Sequence, residues 1–526
     1  MSGDKSDGMH PESNPLHMSD VEFDREPNGG VPPDQIDSNQ PAGLWVLFIT
    51  EMWERFSYYG MRALLVLYLI ASTSSEIENS DGEMVANMNP GFGWTEGSAY
   101  LLYAIYTWAV YLTPIFGGWL ADKFLGTHRS MLLGGWIIAL GHITLAGTEL
   151  FGITAGEAVT LQTGPGALMM FIAGLALIII GTGFFKPCVS VMVGQLYGQD
   201  DPRRDSGFTI FYMGINLGAF LSPLVAGTLG EKIGWHWGFG SAAVGMILGL
   251  IFYQIYRPKY LAGVGLSPKQ IEEQRENGGV VASKVDDAEL KRPLNNVDIQ
   301  RLLVILILAF VGNIFFWAAF EQAGSSLNVF AEKNTNRTIF GYEFPATWYQ
   351  SVNALTIVIC APFFSMLWVW LGKRNANPST PVKFSIGLWL LGLSFIAMVF
   401  GALEARGGNL AGPYWLLITY VVCTWAELCL SPVGLSVVTK LAPAKLQSLM
   451  MGAWFFSFSL ANLLGGLMAR FSTNFKPGEG GEPPQASFII EGLPGFYLML
   501  VVFPIAAGFV IFALSPLLKR MMHGVK

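Results

Sequence analysis

Twelve long apolar runs separated by short polar breaks set the pattern of this 526-residue chain. Most exceed the ~18 apolar residues that mark a helix able to cross a bilayer. Run ends and Gly/Pro breakers place spans near 43–71, 94–121, 129–150, 165–195, 206–230 and 238–257, then 301–331, 345–371, 381–403, 413–440, 446–471 and 494–518. The pattern thus predicts an all-α integral membrane protein. A polar tail (1–42) precedes a six-helix bundle (43–257), a polar linker (258–300), a second six-helix bundle (301–518) and a short tail (519–526). The first tail, rich in Asp, Glu, Pro, Gly, Ser and Asn, reads as disordered and lacks the apolar stretch of a cleavable signal. The first membrane helix is therefore expected to direct insertion. A short surface helix is expected around Ser267–Glu276 of the linker.

Composition agrees: 52% of residues are hydrophobic and 13% charged, against about 25% charged in soluble domains. Lys and Arg add the orientation, because they stay cytoplasmic in short loops. With the N-terminus inside, inside segments hold 22 of the 31 basic residues, outside loops six and the spans three. Both ends are expected in the cytoplasm. The net charge of −7 says little about partners, since placement matters more than the sum. Cys188, Cys360, Cys423 and Cys429 all lie in apolar segments and read as small buried hydrophobes, with no disulfide, metal ligation or cofactor expected. No His-Glu-x-x-His, Gly-x-Ser-x-Gly or phosphate loop occurs, and His142 and His236 stand alone. An enzyme is not expected.

A charge at the bilayer centre costs at least about 2.5–3.5 kcal/mol and is functional by default. In the first span Glu51, Glu54, Arg55, Tyr58, Tyr59 and Arg62 recur at helical spacing on one face. Such a stripe faces a protein cavity, or else it is an intrahelical salt-bridge row that only holds the bundle together. Lys186, Glu321 and Glu427 also sit deep. At ~1.5 Å per residue, Glu54 and Lys186 lie roughly 16 and 14 Å from the cytoplasmic face, Glu427 about 20 Å, and Arg62 and Glu321 roughly 28 and 30 Å. These levels suggest two gating pairs: Glu54 or Glu427 with Lys186 inside, and Arg62 with Glu321 outside. Four carboxylates against three cations leave one carboxylate in excess, and such a group tends to take up a proton.

Two six-helix halves joined by a cytoplasmic linker is the layout of major facilitator transporters, whose site lies between the halves. The loop Gly117-Gly118-Trp119-Leu120-Ala121-Asp122-Lys123, with Gly126 and Arg129, resembles that superfamily's signature. Its glycines are expected to let helices pack closely, and Asp122 and Arg129 to clasp neighbouring helix ends. The run Glu51-x-x-Glu54-Arg55-Phe56-x-Tyr58-Tyr59-Gly60 resembles the first-helix signature of proton-coupled oligopeptide transporters. Gly181 to Pro187, Phe211-Tyr212 through Asn216 to Gly218, Phe316-Trp317 with Glu321, Gln350 to Asn353, and Glu427 to Ser431 continue the likeness from about residue 43 to 470.

The resemblance implies a symporter that imports di- and tripeptides with protons by alternating access, working as a monomer in the lipid bilayer, with no cofactor or nucleic acid. It implies that Glu51, Glu54, Arg55, Lys186 and Glu321 serve proton coupling. Arg62 and Lys186 would attract the peptide carboxylate and Glu427 its amino group. Asn216, Asn353 and Ser431 would contact the peptide, while Tyr58, Tyr59, Tyr111, Tyr212, Trp317 and Trp454 line side-chain pockets. Two departures matter. Ala104 stands where animal members and some bacterial ones carry a histidine, so coupling falls to the carboxylates and Lys186. The polar linker leaves no room for two further helices found in many bacterial members, and Glu404–Gly412 is too short for the outer domain of animal ones. A bacterial inner membrane is the preferred setting. A related carrier of nitrate, a metabolite or a drug, and a non-transporting nutrient receptor, are the alternatives.

Overall fold

The structure, a computed structural model, describes residues 39–525 apart from 75, 79–82, 152–163, 199–200, 202, 268, 271–272, 274–292, 444–445 and 479–481. The expected disorder of the first tail and most of the linker lie outside the described residues. Residues 269, 270 and 273 of the linker are helical, and Ser267 accepts from the Gln270 N–H while Gln270 accepts from the Ser267 N–H, a helix-starting box.

Twelve long helices form the body. The first, α1, is Ala42–Ile70. It is followed by α2 (Glu96–Leu125), α3 (Thr127–Leu150), α4 (Pro165–Gln195), α5 (Arg204–Lys232) and α6 (Trp235–Tyr260). The second series is α7 (Asn296–Asn334), α8 (Trp348–Lys373), α9 (Thr380–Glu404), α10 (Tyr414–Leu441), α11 (Leu449–Phe475) and α12 (Leu493–Met521). Among the described residues, eleven are long and apolar enough to span a bilayer. The exception is α1, long enough but carrying Glu51, Glu54, Arg55 and Arg62, all buried. All twelve fall where the apolar runs predict. The chain is thus a multi-pass membrane protein with the twelve-helix layout expected of the major facilitator fold.

An even number of crossings puts the start of α1 and the end of α12 on one side, here the terminal face; the other is the distal face. In the first series α1 packs on α5 and α6, and α3 on α4 and α6. In the second, α9 packs on α10 and α12, α8 on α10, and α7 on α11. The halves meet where α2 lies on α11 and α5 on α8. Within lipid, no apolar driving force pulls helices together, so close backbone approach does that work. Gly117 of α2 meets the Gly183 carbonyl of α4, and Gly134 of α3 meets that of Gly181. Gly117→Val is expected to destabilise the protein by about 1–3 kcal/mol through overpacking, read as a lowered melting midpoint in detergent. Gly372→Val, with nothing within 4 Å of its new Cβ, should leave the midpoint unchanged.

Two local features depart from expectation. Asp122 and Arg129 do not clasp helix ends: both are exposed, with no ion pair to a described residue. The end of α2 runs out through a π-helical turn, Ala121–Leu125, into Gly126 at φ +75°, and Asp122 lies exposed in that turn. There the His128 N–H donates to the Gly265 carbonyl at 3.0 Å instead. Three two-stranded hairpins also border the distal face, pairing Glu76–Glu78 with Met84–Ala86, Thr338–Ile339 with Tyr342–Glu343, and Ser487–Phe488 with Ile490–Glu491.

Candidate substrate and ion-coupling site

The polar face of α1 folds into a local charge cluster. Arg55 Nε lies 3.0 Å from Glu51 Oε1 and 2.5 Å from Glu54 Oε2, and all three side chains are buried. One guanidinium therefore serves two carboxylates, and Glu54 Oε1 and Arg55 Nη2 have no hydrogen-bond partner among the described residues. The cluster is intrahelical, yet it does not neutralise itself: one negative charge remains for a proton or another cation.

Lys186 supplies such a cation from α4. Its Nζ stands 3.7 Å above the Tyr111 ring, a cation–π contact, and no described carboxylate is within ion-pair distance of it. The pairing with Glu54 or Glu427 expected from depth is not made in this conformation. The next residue, Pro187, lies inside α4 and removes the bond that would hold the Gly183 carbonyl, at the point where α2 approaches. Tyr111 in turn stacks on Phe458 of α11, ring centres 6.2 Å apart and planes at 13°, so the Lys186 platform spans both halves.

Arg62 reaches across the halves near the distal side. Its Nη2 pairs with Glu321 of α7, and its Nε donates to the Tyr103 hydroxyl of α2 at 2.8 Å. Glu321 starts a 3-10 turn, Glu321–Gly324, which breaks the α7 ladder where the chain lies against Arg62; irregular turns inside long helices often mark functional positions. Gly324 lies against the Tyr103 ring and Arg62, leaving no space for a side chain. Asn328 seals the same level by donating to the Ala63 carbonyl at 2.8 Å.

In the second half, Glu427 of α10 accepts from the Asn353 amide of α8 at 3.0 Å, and that amide also donates to the Thr424 hydroxyl at 3.0 Å. Ser431 sits half-buried one turn further along α10. Asn216 of α5 turns its amide back to the Tyr212 carbonyl at 2.9 Å, while Tyr212 is exposed. Trp317 packs against Phe320 and Phe458 with its indole N–H unpartnered. Tyr59 is half-buried beside Arg62, and Tyr58 is buried with a free hydroxyl. Trp454 is buried in this conformation. At 1% exposure it is wedged against Phe384 and Gly434 as a core residue of the second half, and it lines no open surface.

Tyr103, Thr424 and Phe458 join the site without having been singled out from sequence. Tyr103 had one signal, its place beside Ala104, a position already singled out from sequence. Thr424 and Phe458 had none beyond helical spacing to Glu427 and Trp454.

The bonds joining the halves share a direction. Ser459 donates to the Trp108 carbonyl near mid-depth, and Ser351, in the first turn of α8, to the Phe220 carbonyl. Arg62–Glu321, Glu96–Lys333, Glu96–Lys476 and Glu231–Thr347 then close the distal side. Among the described residues, the side-chain bonds between the halves thus run from mid-depth to the distal face, and this is a conformation shut on that face.

Comparison with known proteins shows what the chain is similar to. The profile described as "POT family" matches residues 128–263 and 272–481. The uncharacterized transporter YclF of Bacillus subtilis is 39% identical over 522 residues, covering 92% of this chain and 96% of that protein. A di-/tripeptide transporter of Lactococcus lactis subsp. cremoris is 36% identical over 511 residues, covering 89% and 96%. Among solved structures, a mutant of the peptide transporter POT in complex with alafosfalin aligns with TM-score 0.73 at 37% identity, covering 94% of this chain and 98% of that one.

Proposed function

The chain belongs to the POT family, and from that membership and the geometry of its charges we propose that it is a proton-driven symporter importing di- and tripeptides by alternating access. The observation that carries the reading is the separation of charge between the halves. Arg62 and Lys186 belong to the first half, and Glu427, held by Asn353, to the second. A zwitterionic peptide bridges such a gap with its carboxylate toward the cations and its amino group toward Glu427. Tyr59, Tyr111, Tyr212 and Trp317 offer apolar faces with polar tips, which tolerate many side chains. The relatives named a di-/tripeptide transporter and a peptide transporter point the same way.

Proton coupling falls to the α1 cluster. With Glu54 ionised, the spare charge of Glu51–Arg55–Glu54 attracts Lys186; with Glu54 protonated, Lys186 is free to meet the peptide carboxylate. Glu321 exchanges Arg62 in the same manner on the distal side. The Lys/Arg asymmetry supports cytoplasmic termini, so we read the terminal face as the cytoplasmic one and the structure as shut on the outer side. We place the protein in a bacterial inner membrane, acting as a monomer.

Glu427→Ala tests the recognition half. Losing one charge-assisted hydrogen bond costs about 1.5–3 kcal/mol, so the half-saturating concentration of peptides with a free amino terminus should rise about tenfold or more. Amino-blocked peptides should change little. Equal loss for both classes, measured by competition uptake, removes Glu427 from amino-group recognition.

A further inference from the structure

At the distal face the end of α5 is joined to the start of α8 by one carboxylate. Glu231 Oε1 accepts from the Thr347 backbone N–H at 3.0 Å and from its hydroxyl at 2.6 Å, and Oε2 accepts from the Ala346 N–H at 2.8 Å. The side chain is 8% exposed, as is that of Arg337, which stands 3.8 Å away. Arg337 is itself fixed by Glu332 at 2.8 Å, Glu343 at 3.0 Å and the Phe344 carbonyl at 2.9 Å. Trp348 Nε1 donates to Thr228 Oγ1 at 2.8 Å, and Gly227 lies against Thr347 so closely that no side chain fits between them.

Ala346 and Thr347 immediately precede α8, where the free N–H groups and the positive end of the helix dipole favour an anion. That anion comes from the other half of the molecule. The bonds are therefore available only while the distal ends of α5 and α8 are together. On the opposite flank Glu96 of α2 repeats the arrangement, its two oxygens meeting Lys333 in the last turn of α7 at 3.0 Å and Lys476 just after α11 at 2.5 Å. Acidic groups of the first half thus meet cations and N–H groups of the second on both sides of Arg62–Glu321.

We infer that Glu231 is a gating residue of the transport cycle, a latch that holds the distal side shut and is released each time the site turns to that side. The inference rests on the alternating-access reading above. Its energy is set by exchange rather than by gross strength. Both the carboxylate and the α8 N–H groups are rehydrated when the halves part, so only the charge-assisted surplus favours closure. A surplus of that size biases the two conformations without locking either.

Spin labels at Ile233→Cys and Leu410→Cys, both exposed and on opposite halves of the distal face, report the gap in full-length protein; Cys360→Ala removes the native thiol that is not buried. Glu231→Gln keeps the shape but sets an amide N–H against backbone donors. The long-distance population should then grow about tenfold over the parent, the effect of one lost charged hydrogen bond. Thr347→Val should shift it in the same direction by less, and Thr347→Ser, which keeps the hydroxyl, should restore the parent distribution. Thr347→Val carries the test if Glu231→Gln does not fold. An unchanged distribution in the variant that folds, or Thr347→Ser shifting as far as Thr347→Val, overturns the latch. The label distances do not depend on the substrate, so a failure of the peptide–proton reading shows separately, as unmodified protein that takes up no peptide.

Discussion

Glu54→Gln is expected to abolish accumulation of peptide against its gradient while leaving the protein folded and in the membrane. The argument is one of charge. In the cluster of Glu51, Arg55 and Glu54, one guanidinium is shared by two carboxylates, so a single negative charge is left over, and Glu54 Oε1 is free to take a proton. A glutamine there holds the neutral state permanently. Each coupled proton makes one pH unit of gradient worth about 1.4 kcal/mol, or tenfold accumulation, and each 100 mV of membrane potential worth about 2.3 kcal/mol more. The variant should therefore equilibrate peptide to about the outside concentration, whatever gradient is imposed. Uptake of labelled peptide into proteoliposomes under an imposed pH gradient decides it. Accumulation at the unmodified level would remove Glu54 from coupling.

Lys186→Gln should separate two activities that Glu54→Gln does not. In the present conformation Lys186 rests on the Tyr111 ring without an ion-pair partner. That is the arrangement expected of a cation waiting for a carboxylate from peptide or from the α1 cluster. Net uptake requires the empty carrier to return, and the return is the step in which an unprotonated Glu54 needs this partner. Leaving a buried charge without its partner costs about 2–5 kcal/mol, so net proton-driven uptake should fall about thirtyfold or more. Exchange of internal for external peptide, which uses only the loaded carrier, should persist. The comparison is made in one set of vesicles, preloaded or empty. Equal loss of both activities would make Lys186 a binding residue alone.

The membrane architecture was legible in the sequence because lipid leaves few choices. A run of ~18 apolar residues has to be a helix, and each of the twelve runs became one. The first helix fails an apolarity test, yet it was readable from its charges, since Glu51, Glu54, Arg55, Tyr58 and Arg62 repeat at helical spacing and all end buried. Depth along the helices placed Arg62 and Glu321 at one level, and they do meet. The same reasoning did not bring Lys186 to Glu427, because depth says nothing about which conformation of the halves is present. Asp122 and Arg129 end up exposed: Asp122 sits in a π-helical turn at the end of α2, and Arg129 in the first turn of α3. The resemblance implies Trp454 in a side-chain pocket; in this conformation its neighbour Gly434 makes room for the indole inside the second half. Tyr103 and Phe458 were missed because nothing in a one-dimensional pattern says which aromatic residue faces a charge from another helix.

The central claim is that opposite charges on the two halves, together with the surplus charge on α1, make a proton-driven peptide carrier. The measurement that tests it most directly is uptake of labelled dialanine into proteoliposomes of the full-length protein, with and without an inward proton gradient and an inside-negative potential. The account predicts accumulation that requires the gradient and is competed by di- and tripeptides but not by free alanine. Absence of dialanine uptake under every gradient, in vesicles whose protein is demonstrably folded, would contradict it.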